Sequence, residues 1–164
     1  VAAMKTTLIA LLALGLGLPA AGAERAESEE RPAMIVEKAI RKQLKRPKGE
    51  LAKADLEKVV SLNLNFTKLT DEGLKELPKL KQLTYLRLFS TQITDASLKE
   101  LAKRQQLTAI DLGSTQITDT GLKELAKLKQ LTSLNLNNTK VTKAGVAELQ
   151  KALPKCKITH NPKK

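Results

Sequence analysis

Tryptophan is absent from the 164 residues, and the aromatic complement is one tyrosine and two phenylalanines. A core of stacked rings is excluded, so aliphatic side chains must supply the interior. A single cysteine, Cys156, rules out an intramolecular disulfide, and stability has to come from packing. With one histidine, His160, near the C-terminal end, neither a Ser–His–Asp nor a Cys–His relay has an obvious frame. Cys156 and His160 together offer two ligands, too few for a zinc site. The glycines Gly73, Gly121 and Gly145 recur singly at one repeat position and form no phosphate-cradling loop. The sequence therefore predicts no catalytic residue, no metal site and no cofactor.

Long apolar runs are scarce too. The exception is residues 8–18 (LIALLALGLGL), which follow Lys5 and precede the small residues Ala21-Gly22-Ala23. That run is too short to span a bilayer comfortably, and its flanks are those of a secretory signal peptide, residues 1–23, cleaved before Glu24. The expectation is an exported protein, periplasmic or extracellular, with no membrane span after cleavage. Residues 24–31 (ERAESEER) read as a flexible acidic leader.

What the chain has in abundance is leucine and lysine, at a net charge of +12. The leucines are periodic. Four units follow one another without a gap: 59–82 VVSLNLNFTKLTDEGLKELPKLKQ, 83–106 LTYLRLFSTQITDASLKELAKRQQ, 107–130 LTAIDLGSTQITDTGLKELAKLKQ and 131–154 LTSLNLNNTKVTKAGVAELQKALP. Unit positions 1, 4, 6, 11, 16 and 19 are apolar in every copy. Early in the unit the spacing is two, which predicts a short strand. Later it becomes three, which predicts one face of a helix. One strand and one helix cannot close a core, but stacked copies can.

The pattern LTxLxLxxTxITDxGLKEL resembles the leucine-rich repeat, and more narrowly the short strand–helix subtype of cysteine-containing and ribonuclease-inhibitor-like repeats found in many exported bacterial proteins. The resemblance covers roughly residues 51–160. It implies an α/β fold: a right-handed solenoid with a curved parallel sheet on its concave side and helices on its convex side. One departure is that unit position 9, usually Asn or Cys in the family, holds Thr67, Thr91, Thr115 and Thr139. Those hydroxyls are expected to bond the turn backbone of neighbouring coils.

Within this frame the hexapeptide STQITD, present at 90–95 and again at 114–119, reads as scaffold. Thr118 suits a helix N-cap, Asp119 suits the positive end of the helix dipole, and Ile117 with Leu122 makes a hydrophobic staple. Asp71, Asp95 and Asp119 are expected to pair with Lys75, Lys99 and Lys123, four residues on. Helices are predicted to begin near residues 71, 95, 119 and 143, and strands to lie near 61–64, 85–88, 109–112 and 133–136. Residues 32–58 are read as an N-terminal capping helix from Pro32 to Leu44 with a shortened unit after it. Residues 155–164 are read as a C-terminal cap strand around Ile158 and a basic tail.

Two surfaces remain as candidates for function. Unit positions 3, 5, 7 and 8 vary freely between copies, and on a strand they face the concave side or its rim. All three aromatics lie there. The predicted partner-binding residues are Asn63, Phe66, Tyr85, Arg87, Phe89, Asp111 and Asn135, a surface for an unknown protein or cell-envelope polymer. The alternative is a structural element held to anionic envelope polymers by a basic convex face bearing Lys75, Lys79, Lys81, Lys99, Lys103, Arg104, Lys123, Lys127 and Lys129. No aromatic interleaves those cations, which argues against specific nucleic-acid binding. The expected reading is a non-enzymatic binding module. Its small concave face allows weak self-association.

Overall fold

The computed structural model describes residues 31–161. The expected signal peptide at 1–23, the acidic leader apart from Arg31, and the last three residues of the basic tail lie outside the described residues.

Five three-residue strands form one parallel sheet in sequence order: β1 (Ser61–Asn63), β2 (Tyr85–Arg87), β3 (Ala109–Asp111), β4 (Ser133–Asn135) and β5 (Lys157–Thr159). The 24-residue period sets the register, placing Leu62, Leu86, Ile110, Leu134 and Ile158 side by side. The first four of these are buried, as is the whole position-6 column of Leu64, Leu88, Leu112 and Leu136. Each buried aliphatic side chain contributes roughly 1.5–3 kcal/mol of transfer free energy, and each coil shares that burial with its neighbours.

Returning segments pack behind the sheet: α1 (Pro32–Leu44), α2 (Lys53–Leu56), a 3-10 helix (Asp71–Lys79), α3 (Asp95–Leu101), α4 (Asp119–Leu125) and α5 (Lys143–Ala152). The repeat helices begin at the residues the sequence predicts. In α3, α4 and α5 the N-cap threonines Thr94, Thr118 and Thr142 each accept a hydrogen bond from the first turn. The first unit is 3-10 rather than α. Its Thr70 makes no side-chain capping bond, and Pro78 lies inside it and withholds an amide donor.

Helix α1 starts on Pro32, buries Ile35, Val36 and Ile40, and packs on the 3-10 helix and β1. It closes the first coil, as a solenoid end requires. In the shortened unit, Asp55 is buried, accepts the Ala52 amide at 3.1 Å and pairs with Arg46. At the other end β5 adds the expected final strand. Cys156 is buried, and burial pushes its thiol pKa up, so it behaves as a small hydrophobe.

Three expectations are corrected. The position-9 threonines do not bridge coils. Thr67, Thr91, Thr115 and Thr139 donate to the carbonyls of Leu64, Leu88, Leu112 and Leu136, three residues back in their own coil. A hydroxyl has one proton to donate, and each of these is spent on the carbonyl of its own turn.

The coils are bridged instead by the aspartates expected to pair with lysine. Asp71 accepts from the Thr94 amide and hydroxyl, Asp95 from those of Thr118, and Asp119 from those of Thr142. Fixed amide and hydroxyl donors beside each carboxylate outweigh a solvated lysine four residues away. Lysines pair with glutamates three residues before them, as Lys75 does with Glu72, Lys103 with Glu100 and Lys127 with Glu124.

Third, the helix-face cations are not one array. Lys81, Lys103, Lys127 and Lys129 lie beyond the helix ends. Arg104 is buried, with its guanidinium 3.4 Å from the Leu80 carbonyl, and burial lowers its pKa. It occupies unit position 22, where Leu80 and Leu128 fill the core.

Candidate functional site

A strand with its alternate residues in the core must present the others outward. Unit positions 4 and 6 are buried, so positions 3 and 5 form the outer face of the sheet. On β2 that face carries Tyr85 and Arg87. The Arg87 guanidinium carbon lies 4.8 Å from the Tyr85 ring centroid, and Arg87 Nε donates to the Tyr85 hydroxyl at 2.9 Å. Arginine over an aromatic face is held by the ring quadrupole and loses less freedom on binding a partner.

The other position-5 residues have a local task. Asn63 Oδ1 accepts the Asn65 amide, Asp111 Oδ1 accepts the Gly113 amide, and Asn135 Oδ1 accepts the Asn137 amide, each at 3.0 Å. These Asx-type turns close the strand end two residues on. Asp111 also accepts from Asn135 Nδ2 at 2.8 Å, and Asn135 Oδ1 accepts from the Thr159 hydroxyl at 3.2 Å.

Arg87 has no acceptor to offer, so the amide of Phe89 needs another partner. Asn65, at position 7 of the preceding coil, supplies it: its Oδ1 accepts the Phe89 amide at 2.9 Å. This residue was not among those the sequence singled out. The signal was weak: the one full unit lacking Asn or Asp at position 5 follows a unit with Asn at position 7, but Asn137 holds the same position in the fourth unit.

The two phenylalanines meet at the rim. Phe66 and Phe89 pack edge to face with centroids 5.3 Å apart. Phe89 is half-buried over the next coil, so close that a Cβ on Gly113 would lie 2.7 Å from its Cδ2. Phe66 is 75% exposed and has φ 59°. Ser90, Ser114 and Asn138, the same unit position in later coils, are also left-handed. The structure therefore pairs Phe66 with Phe89 at the rim and Tyr85 with Arg87 on the sheet face, both on the first two coils. Asn63, Asp111 and Asn135 run across the same face as strand-end supports.

Outside this face, His160 Nε2 lies 2.9 Å from the Val141 carbonyl. Among the described residues, no group of three or more histidine, cysteine or carboxylate side chains is placed to hold a metal. Among the same residues no helix is long and apolar enough to cross a membrane.

The geometry and the comparisons agree on the fold. The leucine-rich repeat family model matches residues 56–77, 80–102 and 105–126. The same strand–helix unit continues beyond that match through β4 and α5. The chain is similar to the crystal structure of an internalin of Listeria monocytogenes, with 27% identity and a TM-score of 0.57, over 73% of this chain. It spans 34% of the length of that internalin.

Internalin C2 of the same species aligns at 18% identity and a TM-score of 0.39, over 81% of this chain and 87% of its own. A Bacteroides fragilis protein aligns at 20% identity and a TM-score of 0.39, over 61% and 40%. No curated protein sequence matches the chain. The described residues form a leucine-rich repeat solenoid.

Proposed function

We propose that the protein is a non-enzymatic binding module, exported by the segment at 1–23, that recognises a protein or envelope polymer through the strand face of its first two coils. One observation carries this reading. Arg87 stands where the other three repeats use Asn or Asp to close the strand end, and Asn65 takes over that closure. A side chain that the scaffold has to work around is better explained by what it meets outside. Arg and Tyr are also among the residue types that dominate interface centres.

The face is small. Strands about 4.8 Å apart and about 15 Å of usable length give on the order of 350 Å², against roughly 800 Å² per partner in a standard interface. Binding is therefore weak unless the flanks or a second copy add area. The helix-face alternative is less well supported, because several of those lysines are neutralised locally by glutamates three residues before them and Arg104 is buried.

The test is Arg87→Asn, which restores the scaffold residue. Immobilised wild type and variant are compared for capture from the envelope fraction of the producing organism, with melting followed in parallel. The expected result is an unchanged or higher Tm and loss of the captured partner. Equal capture would remove Arg87 from the site.

A further inference from the structure

Strands β2 and β3 carry opposite charges at the same level. Arg87 and Asp111 are register partners, yet each is held by other groups. Arg87 Nε donates to the Tyr85 hydroxyl, while Asp111 Oδ1 accepts from the Gly113 amide and from Asn135 Nδ2. Among the described residues this leaves the guanidinium fork, Nη1 and Nη2, and the carboxylate Oδ2 for a partner. Large and small side chains alternate across the same two strands. Tyr85 is the register partner of Ala109, and the Phe89 ring lies over Gly113.

Such a face is complementary to itself. About a two-fold axis running along the strands between β2 and β3, a second copy sets its β3 over β2 and its β4 over β1. Arg87 then meets Asp111 of the second copy, and Asp111 meets the other Arg87. Tyr85 lies over Ala109, and the amides of Asn63 and Asn135 face one another. Moving the axis destroys the match. Through β2 it sets Arg87 on Arg87, and through β3 it sets Asp111 on Asp111, which like charges oppose. A polyanion fits less well, because charge repeated at strand spacing would meet Asp111 beside Arg87.

We propose that the strand face pairs with a second copy of this chain in an isologous dimer, with two reciprocal Arg87–Asp111 ion pairs about the axis. The proposal rests on the reading of this face as the binding surface and names its partner. Two faces of about 350 Å² each make a weak, transient interface, with a Kd above about 1 μM. A net charge of +12 on each chain opposes association. Salt screens that distant repulsion more than the pairs shut inside the interface, so the dimer should strengthen from about 0.01 to about 0.15 M salt.

Sedimentation equilibrium of the chain, up to about 1 mM, reads the association. The wild type is expected to dimerise. Arg87→Asp and Asp111→Arg should each weaken the dimer by at least about tenfold. Mixed together, or combined in one chain, the two reversals should restore it, since opposite charges again meet across the axis. A wild type monomeric throughout, single reversals without effect, or no recovery in the mixture would each overturn the proposal. Should Asp111→Arg disturb the strand end that Asp111 closes, Ser61→Cys/Ser133→Cys is oxidised instead. Those positions lie three strand spacings apart in one chain, about 14 Å, beyond the reach of a disulfide, but they face one another across the axis. A disulfide-linked dimer supports the pairing, and monomer alone refutes it. Arg87-dependent capture of another protein by a chain that stays monomeric would sink the dimer and leave the binding face standing.

Discussion

Asp95 holds the start of the helix in the next coil: its Oδ1 accepts the Thr118 amide at 2.8 Å and its Oδ2 accepts the Thr118 hydroxyl at 2.5 Å. The Thr118 oxygen in turn accepts the Thr120 amide at 3.2 Å, so one carboxylate orders the cap of its neighbour. Asp71 and Asp119 repeat the arrangement, and the series ends where Lys143 replaces the aspartate.

Asp95→Ala removes both charge-assisted bonds and leaves the cap of α4 without its anchor. The expected cost is about 2–3 kcal/mol, read as a lower urea midpoint with the slope preserved. A loss within about 0.5 kcal/mol, the range of an ordinary surface change, would strip the ladder of energetic meaning.

The first rung of the ladder, Asp71, makes stability depend on pH. Burial pushes the Asp71 carboxyl pKa up, but bonds from the Ser97 hydroxyl and from the Thr94 amide and hydroxyl outweigh it and hold the pKa below the ordinary value. Asp55 is also held low, first by the Ala52 amide and, against the opposing effect of burial, by Arg46. A carboxylate with a depressed folded pKa stabilises fully above its unfolded value, and that contribution is lost as pH falls through the folded one. The urea midpoint should therefore be flat from neutrality to about pH 5 and fall below it. Asp71→Asn should flatten that fall. An unaltered acid limb would place the sensitivity elsewhere.

Room for the ladder comes from unit position 15. A Cβ on Gly121 would lie 2.6 Å from Leu98 Cδ1 and closer still to Asp95 Oδ1. In a helix, Gly→Ala ordinarily stabilises by about 1 kcal/mol. Gly121→Ala should reverse that sign and destabilise by about 1–3 kcal/mol, because the carboxylate would have to leave its donors. A stabilised variant would show that the coils relax without loss.

These residues mark what the sequence could and could not tell. Apolar spacing of two, then three, was enough to place every repeat strand and helix start, and Pro32 announced the capping helix. The destination of each aspartate was not legible. Asp95 has Lys99 four residues on and Thr118 twenty-three residues on, and only stacking decides between them. Gly121 was a clue that read as punctuation. Arg104 was misread as a surface charge although it sits in the column of Leu80 and Leu128. On the strand face, the variable positions correctly marked the outward side chains. They did not distinguish Asn63, Asp111 and Asn135, which close strand ends, from Arg87, which does not.

Phe66 gives the sharpest separation of scaffold from surface. Its φ of 59° is shared by Ser90, Ser114 and Asn138, residues small or polar enough for the left-handed region. A bulky side chain there costs roughly 1–2 kcal/mol, and Asn tolerates the conformation well. Phe66→Asn relieves that strain but gives up an edge-to-face pair with Phe89 worth about 0.5–1.5 kcal/mol. The two nearly cancel, so Tm should stay close to that of wild type. Phe89→Ala should behave differently, because its ring covers Gly113, and a loss of about 1–3 kcal/mol is expected. If the rim belongs to the binding face, Phe66→Asn should weaken partner capture while leaving melting untouched. A clear drop in Tm for Phe66→Asn would instead make the exposed ring part of the packing, and would confine the binding face to Tyr85 and Arg87.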